Sequence, residues 1–138
     1  MFRQAFERRR CLVPADGFYE WQRNTPKQPY FIRMNNNDIM AFGGVWERWK
    51  PADAGDPVDT FSIITTTPNE LMKPIHERMP VILRRDDYAR WLDRDVAGEA
   101  VMDLLRPYDV EEMTATAVGT HVNNTNNDDA ECIRQAIV

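Results

Sequence analysis

Residues 11–21 read C-L-V-P-A-D-G-F-Y-E-W, and no other stretch limits the fold so tightly. A short apolar run, Cys11-Leu12-Val13, stops at Pro14, and Asp16-Gly17 supplies a turn signal. An alternating, aromatic-rich segment follows, Phe18-Tyr19-Glu20-Trp21, with the character of a strand. Period two puts Phe18 and Glu20 on one face and Tyr19 and Trp21 on the other. A carboxylate sharing a strand face with an aromatic ring either reaches solvent or sits in a pocket that tunes its acidity. The ordinary reading of Glu20 is a solvated strand residue. A second stretch, described below, turns the reading toward chemistry.

Strands and turns also dominate the rest of the chain. Residues 2–10 place Phe2, Ala5, Phe6 and Arg9 at helical spacing, as at the end of an amphipathic helix. Residues 23–28 read as a polar turn containing Pro26, residues 29–34 as a strand, and residues 35–38 (N-N-N-D) as a strong turn. Residues 39–46 read as a strand whose Gly43-Gly44 marks a bulge or a close approach of another segment. Residues 50–59, with two prolines and a glycine, are the most loop-like region. Residues 61–67 (F-S-I-I-T-T-T) are β-branched and are expected to form a buried strand. A short helix is expected over 68–72, with Thr67 as its cap and Pro68 at its first position. Residues 84–92 and 98–105 look helical, residues 113–120 alternate as a strand, and the Asn-rich 121–129 loop should close against something or be mobile. No Gly-rich phosphate loop and no regular β-α-β alternation occur. The expected class is therefore an antiparallel α+β domain, with its helices grouped toward the middle of the chain.

Size and charge bound the function. At 138 residues, 43% apolar and 28% charged, the chain is expected to be one ordinary globular domain over 1–138. No apolar run approaches the ~20 residues that span a bilayer, and no signal-type apolar segment opens the chain, so a cytoplasmic protein without a membrane partner is expected. Cys11 and Cys132 do not make a disulfide framework. With His76 and His121 they show no ligand-type spacing, so no metal and no cofactor are expected. The net charge of −5 hides a polarity: residues 1–33 carry seven basic and three acidic side chains, and the remainder ten and nineteen. An acidic total argues against indiscriminate nucleic-acid binding, while the basic end around Glu20 permits a local phosphate-binding face.

The second stretch is P-I-H-E-R-M-P, residues 74–80. Prolines at both ends restrict a backbone carrying one imidazole, one carboxylate and one guanidinium. His76 can act as acid or base near neutral pH, and Arg78 offers a planar fork to phosphate. A lone histidine is usually structural, and neither stretch proves a site by itself.

Together the blocks are more specific. D-G-F-Y-E-W, K-Q-P-Y-F-I (27–32), A-F-G-G-V-W (41–46), I-I-T-T-T-P-N (63–69) and I-H-E-R-M-P, in this order, resemble the SOS-response-associated peptidase (SRAP) family, and V-N-N-T-N-N-D-D (122–129) is similar to its C-terminal pattern. The resemblance implies a barrel-like, mainly antiparallel β fold with peripheral helices and a groove for single-stranded DNA containing abasic sites. It implies a covalent chemistry in which the amine and thiol of an N-terminal cysteine close a thiazolidine on the ring-opened sugar. It implies that Glu20 and His76 are the active-site acid–base residues, that Trp21 and Arg78 lie near the DNA, and that Thr65 is a further DNA-side candidate. A Glu/His pair can move the protons of Schiff-base chemistry, an indole can stack on an unpaired base, and a guanidinium can hold a phosphate.

The family pattern opens Met-Cys-Gly-Arg, whereas this chain opens Met1-Phe2-Arg3. The expectation is that the chain corresponds to roughly the C-terminal two-thirds of one SRAP-like domain, without the nucleophile. Cys11, on an apolar strand and without an adjacent α-amine, does not replace it. Three functions stay open: an abasic-site DNA crosslinker retaining Glu20 and His76, a non-catalytic single-stranded DNA-binding module, and a cysteine-type (auto)peptidase. Whether the chain is an enzyme is left undecided. Exposed sheet edges are expected to favour self-association.

Overall fold

The computed structural model describes residues 2–137; the Met1 start discussed above and Val138 lie outside the described residues. The chain folds as two compact units, one made of Met1–Pro14, Ala41–Thr66 and Pro80–Tyr108, the other of Ala15–Met40, Thr67–Met79 and Asp109–Val138. Among the described residues no helix is long and apolar enough to cross a membrane.

In the first unit, α1 (Phe2–Arg8) leads into β1 (Arg10–Ala15), which joins a three-stranded sheet in the order β1-β4-β5 with β4 (Met40–Trp49) and β5 (Val58–Ile63). The helical spacing at residues 2–10 is realised, with Ala5 fully buried. Pro14 does not end β1 but lies within it; this strand is at the sheet edge, where proline is tolerated. The Gly43-Gly44 pair serves a close approach. A Cβ on Gly44 would stand 3.0 Å from the Ser62 carbonyl oxygen and 3.2 Å from the Cys11 sulfur.

The core of this unit is Val81, Leu83, Trp91, Val101 and Leu104, with Phe6, Leu12 and Ile64 packed against it. Trp91 donates its indole N–H to the Cys11 carbonyl at 2.9 Å and meets the Phe6 ring edge-on. Arg10, buried beside them, donates to the carbonyls of Phe6, Glu7, Trp91, Asp93 and Val96. One side chain thus satisfies five acceptors at helix and loop ends, a job only a guanidinium fork can do. Trp91 and Leu92 close α2 (Tyr88–Leu92), and a 3-10 helix covers Gly98–Leu104.

One expectation for this unit fails. The 61–67 segment was expected to be buried, yet β5 runs over Val58–Ile63 and every one of its residues is exposed. β5 pairs with β4 on one side and ends the sheet on the other. Its apolar residues Val58, Phe61 and Ile63 therefore face solvent. β-branched composition signals a strand but not what covers it. The strand then breaks at Ile64 and resumes as β6 (Thr65–Thr66), and β7 is the short strand Met79–Pro80.

The second unit is built on a sheet in the order β2-β3-β8, all antiparallel: β2 (Phe18–Gln22), β3 (Gln28–Met34) and β8 (Met113–Ala117). Gly17 opens β2 because nothing larger fits; a Cβ there would lie 2.5 Å from the Phe31 ring and 2.6 Å from the Ile32 carbonyl oxygen. The alternation read from the sequence holds. Tyr19 pairs with Phe31 across the hairpin, and its ring packs at 5.4 Å from Phe31 and 6.3 Å from Trp21. Ile32, Met72, Met79 and Val118 are buried in this unit.

The helix expected at 68–72 is instead a chain of turns. Asn69, not Thr67, caps it, its side-chain oxygen accepting from the Met72 N–H at 3.0 Å. The strand expected over 113–120 stops at Ala117, and a 3-10 turn, Thr120–Asn123, begins. The tail returns to the sheet, with Val118 bridging Gln135 and the Ala136 N–H donating to the Ala117 carbonyl. The fold is thus α+β and mainly antiparallel, as expected, but the described sheets are not closed into a barrel.

Candidate functional site

β2 ends its sheet, with one backbone edge not covered by a strand of that sheet, and all its residues are half-buried. The Gln22 amide at its end donates to the Pro74 carbonyl at 2.9 Å and ties the 74–78 loop to the strand. That tie brings His76 to Glu20, with Nε2 at 3.9 Å from Oε1 and both side chains about one-quarter exposed. The gap is too long for a hydrogen bond, but pairs of this kind tighten when substrate arrives. Glu20 Oε1 also accepts from the Trp21 N–H at 3.2 Å.

The imidazole of His76 has a partner for either tautomer. With the proton on Nδ1, that nitrogen donates to the Arg78 carbonyl at 3.2 Å, and Nε2 accepts from the Arg23 guanidinium at 3.4 Å. With the proton on Nε2, the ring faces Glu20, and Nδ1 accepts from the Arg78 N–H at 3.1 Å. A ring that can exchange tautomers without losing its backbone anchor is suited to relaying a proton. It borders a hollow of about 200 Å³ flanked by Arg23, Lys73 and Glu77. Arg23 also lies 3.8 Å from Glu77, an exposed pair of little energetic weight.

Trp21 lies on the opposite face of β2. Its indole N–H donates to Asn123 Oδ1 at 2.7 Å, and with Lys27 these residues border a hollow of about 280 Å³. Sequence reasoning missed both Arg23 and Asn123. The V-N-N-T-N-N-D-D block marked the region of Asn123, but only folding joins it to Trp21 across 102 positions.

The loop carrying Asn123 is held by its own side chains. Asn127 Nδ2 donates to the His121 carbonyl at 2.8 Å and to His121 Nδ1 at 3.2 Å. Nδ1 is therefore an acceptor, and the ring proton sits on Nε2, which stands 3.1 Å from both Asp129 oxygens. This hydrogen bond, aided by the Glu131 N–H, holds the Asp129 carboxyl below the usual range. Cys132 donates its S–H to the Asn127 carbonyl. Spacing suggested that His121 and Cys132 were scattered; the fold instead places donor atoms of His121, Asp129 and Cys132 within 4.8 Å of one another. Each is engaged in the hydrogen bonds just described, which staple the loop.

Glu20, Trp21, His76 and Arg78 thus lie in the second unit, with Arg78 exposed and its backbone against the His76 ring. Thr65 belongs to the first unit, where it is exposed and borders an apolar hollow of about 460 Å³ with Phe2, Phe6, Ile63 and Leu105. Burial pushes the Cys11 thiol up, away from the nucleophilic thiolate.

Comparison with known proteins adds the lineage. Residues 1–125 match a family model described as SOS response associated peptidase (SRAP). The abasic site processing protein YoqW of Bacillus subtilis is 42% identical over 135 residues, covering 96% of this chain and 60% of that protein. The abasic site processing protein HMCES of Xenopus tropicalis is 35% identical over 153 residues, covering 96% of this chain and 45% of that protein. A crystal structure of a protein from Bacteroides thetaiotaomicron superposes with a TM-score of 0.90 at 33% identity, covering 99% of this chain and 60% of that one. The chain therefore spans about 60% or less of the length of these relatives.

Proposed function

The chain belongs to the SOS-response-associated peptidase family, and from that premise we propose that it binds single-stranded DNA at abasic sites and moves protons on the exposed aldehyde with Glu20 and His76. The observation that carries this reading is the approach of His76 Nε2 to Glu20 Oε1, at 3.9 Å on the edge of a strand. The names of YoqW and HMCES supply the abasic site as the partner, and the match of one family model across both units supports reading residues 1–138 as one domain.

The chemistry follows from the aldehyde. An amine that adds to it gives a carbinolamine, whose protonated hydroxyl is expelled as water by the nitrogen lone pair, and the iminium so formed then loses its nitrogen proton to give the imine. One group must give and the other take. A carboxyl and an imidazole 3.9 Å apart can take these two roles, with the exposed Arg78 beside them to meet a neighbouring phosphate. The family's closing step uses the amine and thiol of a terminal cysteine. Burial raises the Cys11 thiol, so that step is not assigned to Cys11. Recognition and proton transfer are the parts proposed for Glu20, Trp21, His76 and Arg78. A cytoplasmic setting belongs to the same proposal, supported by two cysteines that are both free.

The test mixes the purified chain with a single strand containing one abasic site, an intact strand and a duplex, on native and denaturing gels. The expected result is a native shift that is strongest with the abasic strand and absent with duplex, without a band that survives denaturation. No shift with any strand sinks the proposal. A denaturation-resistant band confined to the abasic strand would show that another amine or thiol reaches the aldehyde.

A second part of the proposal concerns assembly. β5 is an edge strand with Val58, Phe61 and Ile63 exposed, and such an edge pairs readily with another copy.

A further inference from the structure

We infer, building on the proposed binding of abasic single strands, that Arg23 is a positioning residue that couples the grip on the DNA backbone to the place of the proton on His76. In the free chain its guanidinium holds His76 Nε2 as an acceptor. A backbone phosphate of the bound strand draws Arg23 away, and Nε2 then takes the proton and presents it to Glu20.

The ring is held by its loop. The His76 N–H donates to the Met72 carbonyl at 2.8 Å, and the Gln22 amide holds the Pro74 carbonyl at 2.9 Å. A donor is aimed at each ring nitrogen: Arg23 Nη2 stands 3.4 Å from Nε2, and the Arg78 N–H stands 3.1 Å from Nδ1. A neutral imidazole has one acceptor nitrogen, so it receives only one of the two. With the proton on Nδ1 the ring makes two hydrogen bonds, to the Arg78 carbonyl at 3.2 Å and from Arg23. With the proton on Nε2 it makes one, from the Arg78 N–H, because Glu20 Oε1 at 3.9 Å is beyond hydrogen-bond reach. Arg23 therefore sets the balance. Once it leaves, each tautomer keeps one bond to the Arg78 backbone, and the Glu20 carboxylate favours the proton on Nε2.

Arg23 is placed to leave. Its side chain is 70% exposed, and its other partner, the exposed Glu77 at 3.8 Å, holds it weakly. It borders the hollow of about 200 Å³ together with Lys73, which is paired with Glu70. A phosphate entering there offers the guanidinium two charge-assisted bonds in place of one to a ring nitrogen. The exchange balances without a change of charge on the ring: Nδ1 gives one proton to solvent and Nε2 takes one from it. The Glu20–His76 pair is thus set for proton transfer only when the backbone is seated. A guanidinium that merely packed against the loop would leave the tautomer indifferent to DNA.

The experiment reads the tautomer directly, from the imidazole nitrogen resonances of the chain labelled with 15N-histidine at about pH 8, where an ordinary imidazole is neutral. The sequence has two histidines, so His76→Gln assigns the signals. Free wild-type chain should show His76 protonated on Nδ1. Arg23→Met, which keeps the length and removes the donor, should move the proton to Nε2, and Arg23→Lys should keep it on Nδ1. The abasic strand should move it to Nε2 in the wild-type chain. The same strand with an uncharged methylphosphonate at the linkage beside the lesion should bind and leave it on Nδ1. On that neutral linkage the wild-type chain should speed condensation of the aldehyde with a small alkoxyamine severalfold less than on the native strand, and Arg23→Met should recover the loss.

A free wild-type ring protonated on Nε2, a tautomer that Arg23→Met does not change, or one that a bound abasic strand leaves on Nδ1 would each overturn the coupling while the functional proposal stands. Failure of the wild-type chain to bind any strand would end both. Amide spectra of the variants establish that folding is retained, and Arg23→Gln serves where Arg23→Met does not fold.

Discussion

His76 stands between two groups that want different things from it: Arg23 needs an acceptor at Nε2, and Glu20 needs a donor there. Both arrangements keep a bond to the backbone of Arg78, so the ring can change tautomer without turning. That property can be tested without any particular protein nucleophile. A small alkoxyamine condenses with an abasic aldehyde through an analogous carbinolamine, and the bound chain should speed oxime formation about 10-fold or more. Glu20→Gln and His76→Gln should remove the acceleration while the native-gel shift persists. Slower condensation in the complex than with free DNA would mean that the pair only shields the aldehyde. Asp129 gives a pH prediction of its own. Its carboxyl is lowered chiefly by the His121 hydrogen bond, so it stabilises the folded loop above the ordinary carboxylate pKa and loses that contribution as pH falls through its depressed folded value. The Trp21 indole N–H resonance reports the loop through Asn123. The Asp129 contribution should hold it in place across the ordinary carboxylate range and release it only below, and Asp129→Asn should shift it at neutral pH.

β2 and β5 show what a strand announces in its sequence and what it does not. Phe18-Tyr19-Glu20-Trp21 could be read face by face because period two is a property of the backbone, and the Tyr19–Phe31 pair follows from it. Gly17 was legible as a turn, though not as the one residue small enough to lie against Phe31. The buried position expected for 61–67 failed because burial depends on which elements arrive opposite, information that Val58–Ile63 does not contain. Asn69 displaced Thr67 as a cap for a related reason: Asn69 is itself buried, and its side chain reaches the Met72 N–H and the Met113 sulfur, both set by tertiary packing. Of the candidate site, Glu20 and His76 stood out in their own stretches but only the family blocks joined them, and the Trp21–Asn123 bond, spanning 102 positions, was not legible at all. β5 carries its own prediction. An edge with Phe61 and Ile63 exposed should make the sedimentation coefficient rise with concentration, and Phe61→Lys with Ile63→Lys should return the chain to monomer. A wild-type coefficient flat with concentration would remove self-association from the proposal.

At the scale of the molecule, a net charge of −5 has to be reconciled with binding a polyanion. The proposed answer is local: Arg23, Lys27 and Arg78 are exposed residues of the second unit, from the β2–β3 connection and the loop bearing His76. Each phosphate neutralised on a single strand contributes about −0.7 to the slope of log affinity against log salt, so three contacts give a slope of about −2. A protein that gripped DNA by a broad basic surface would show several times that value. Anisotropy of a labelled abasic strand, titrated at a series of salt concentrations, should therefore give a shallow line. Arg78→Ala or Lys27→Ala should each flatten it by about one contact. What remains at high salt should be the salt-independent share from stacking on Trp21, and Trp21→Ala should lower affinity there without changing the slope. A steep line, or one that neither basic substitution alters, would place the DNA on some other surface, and the second unit would then have to be read without it.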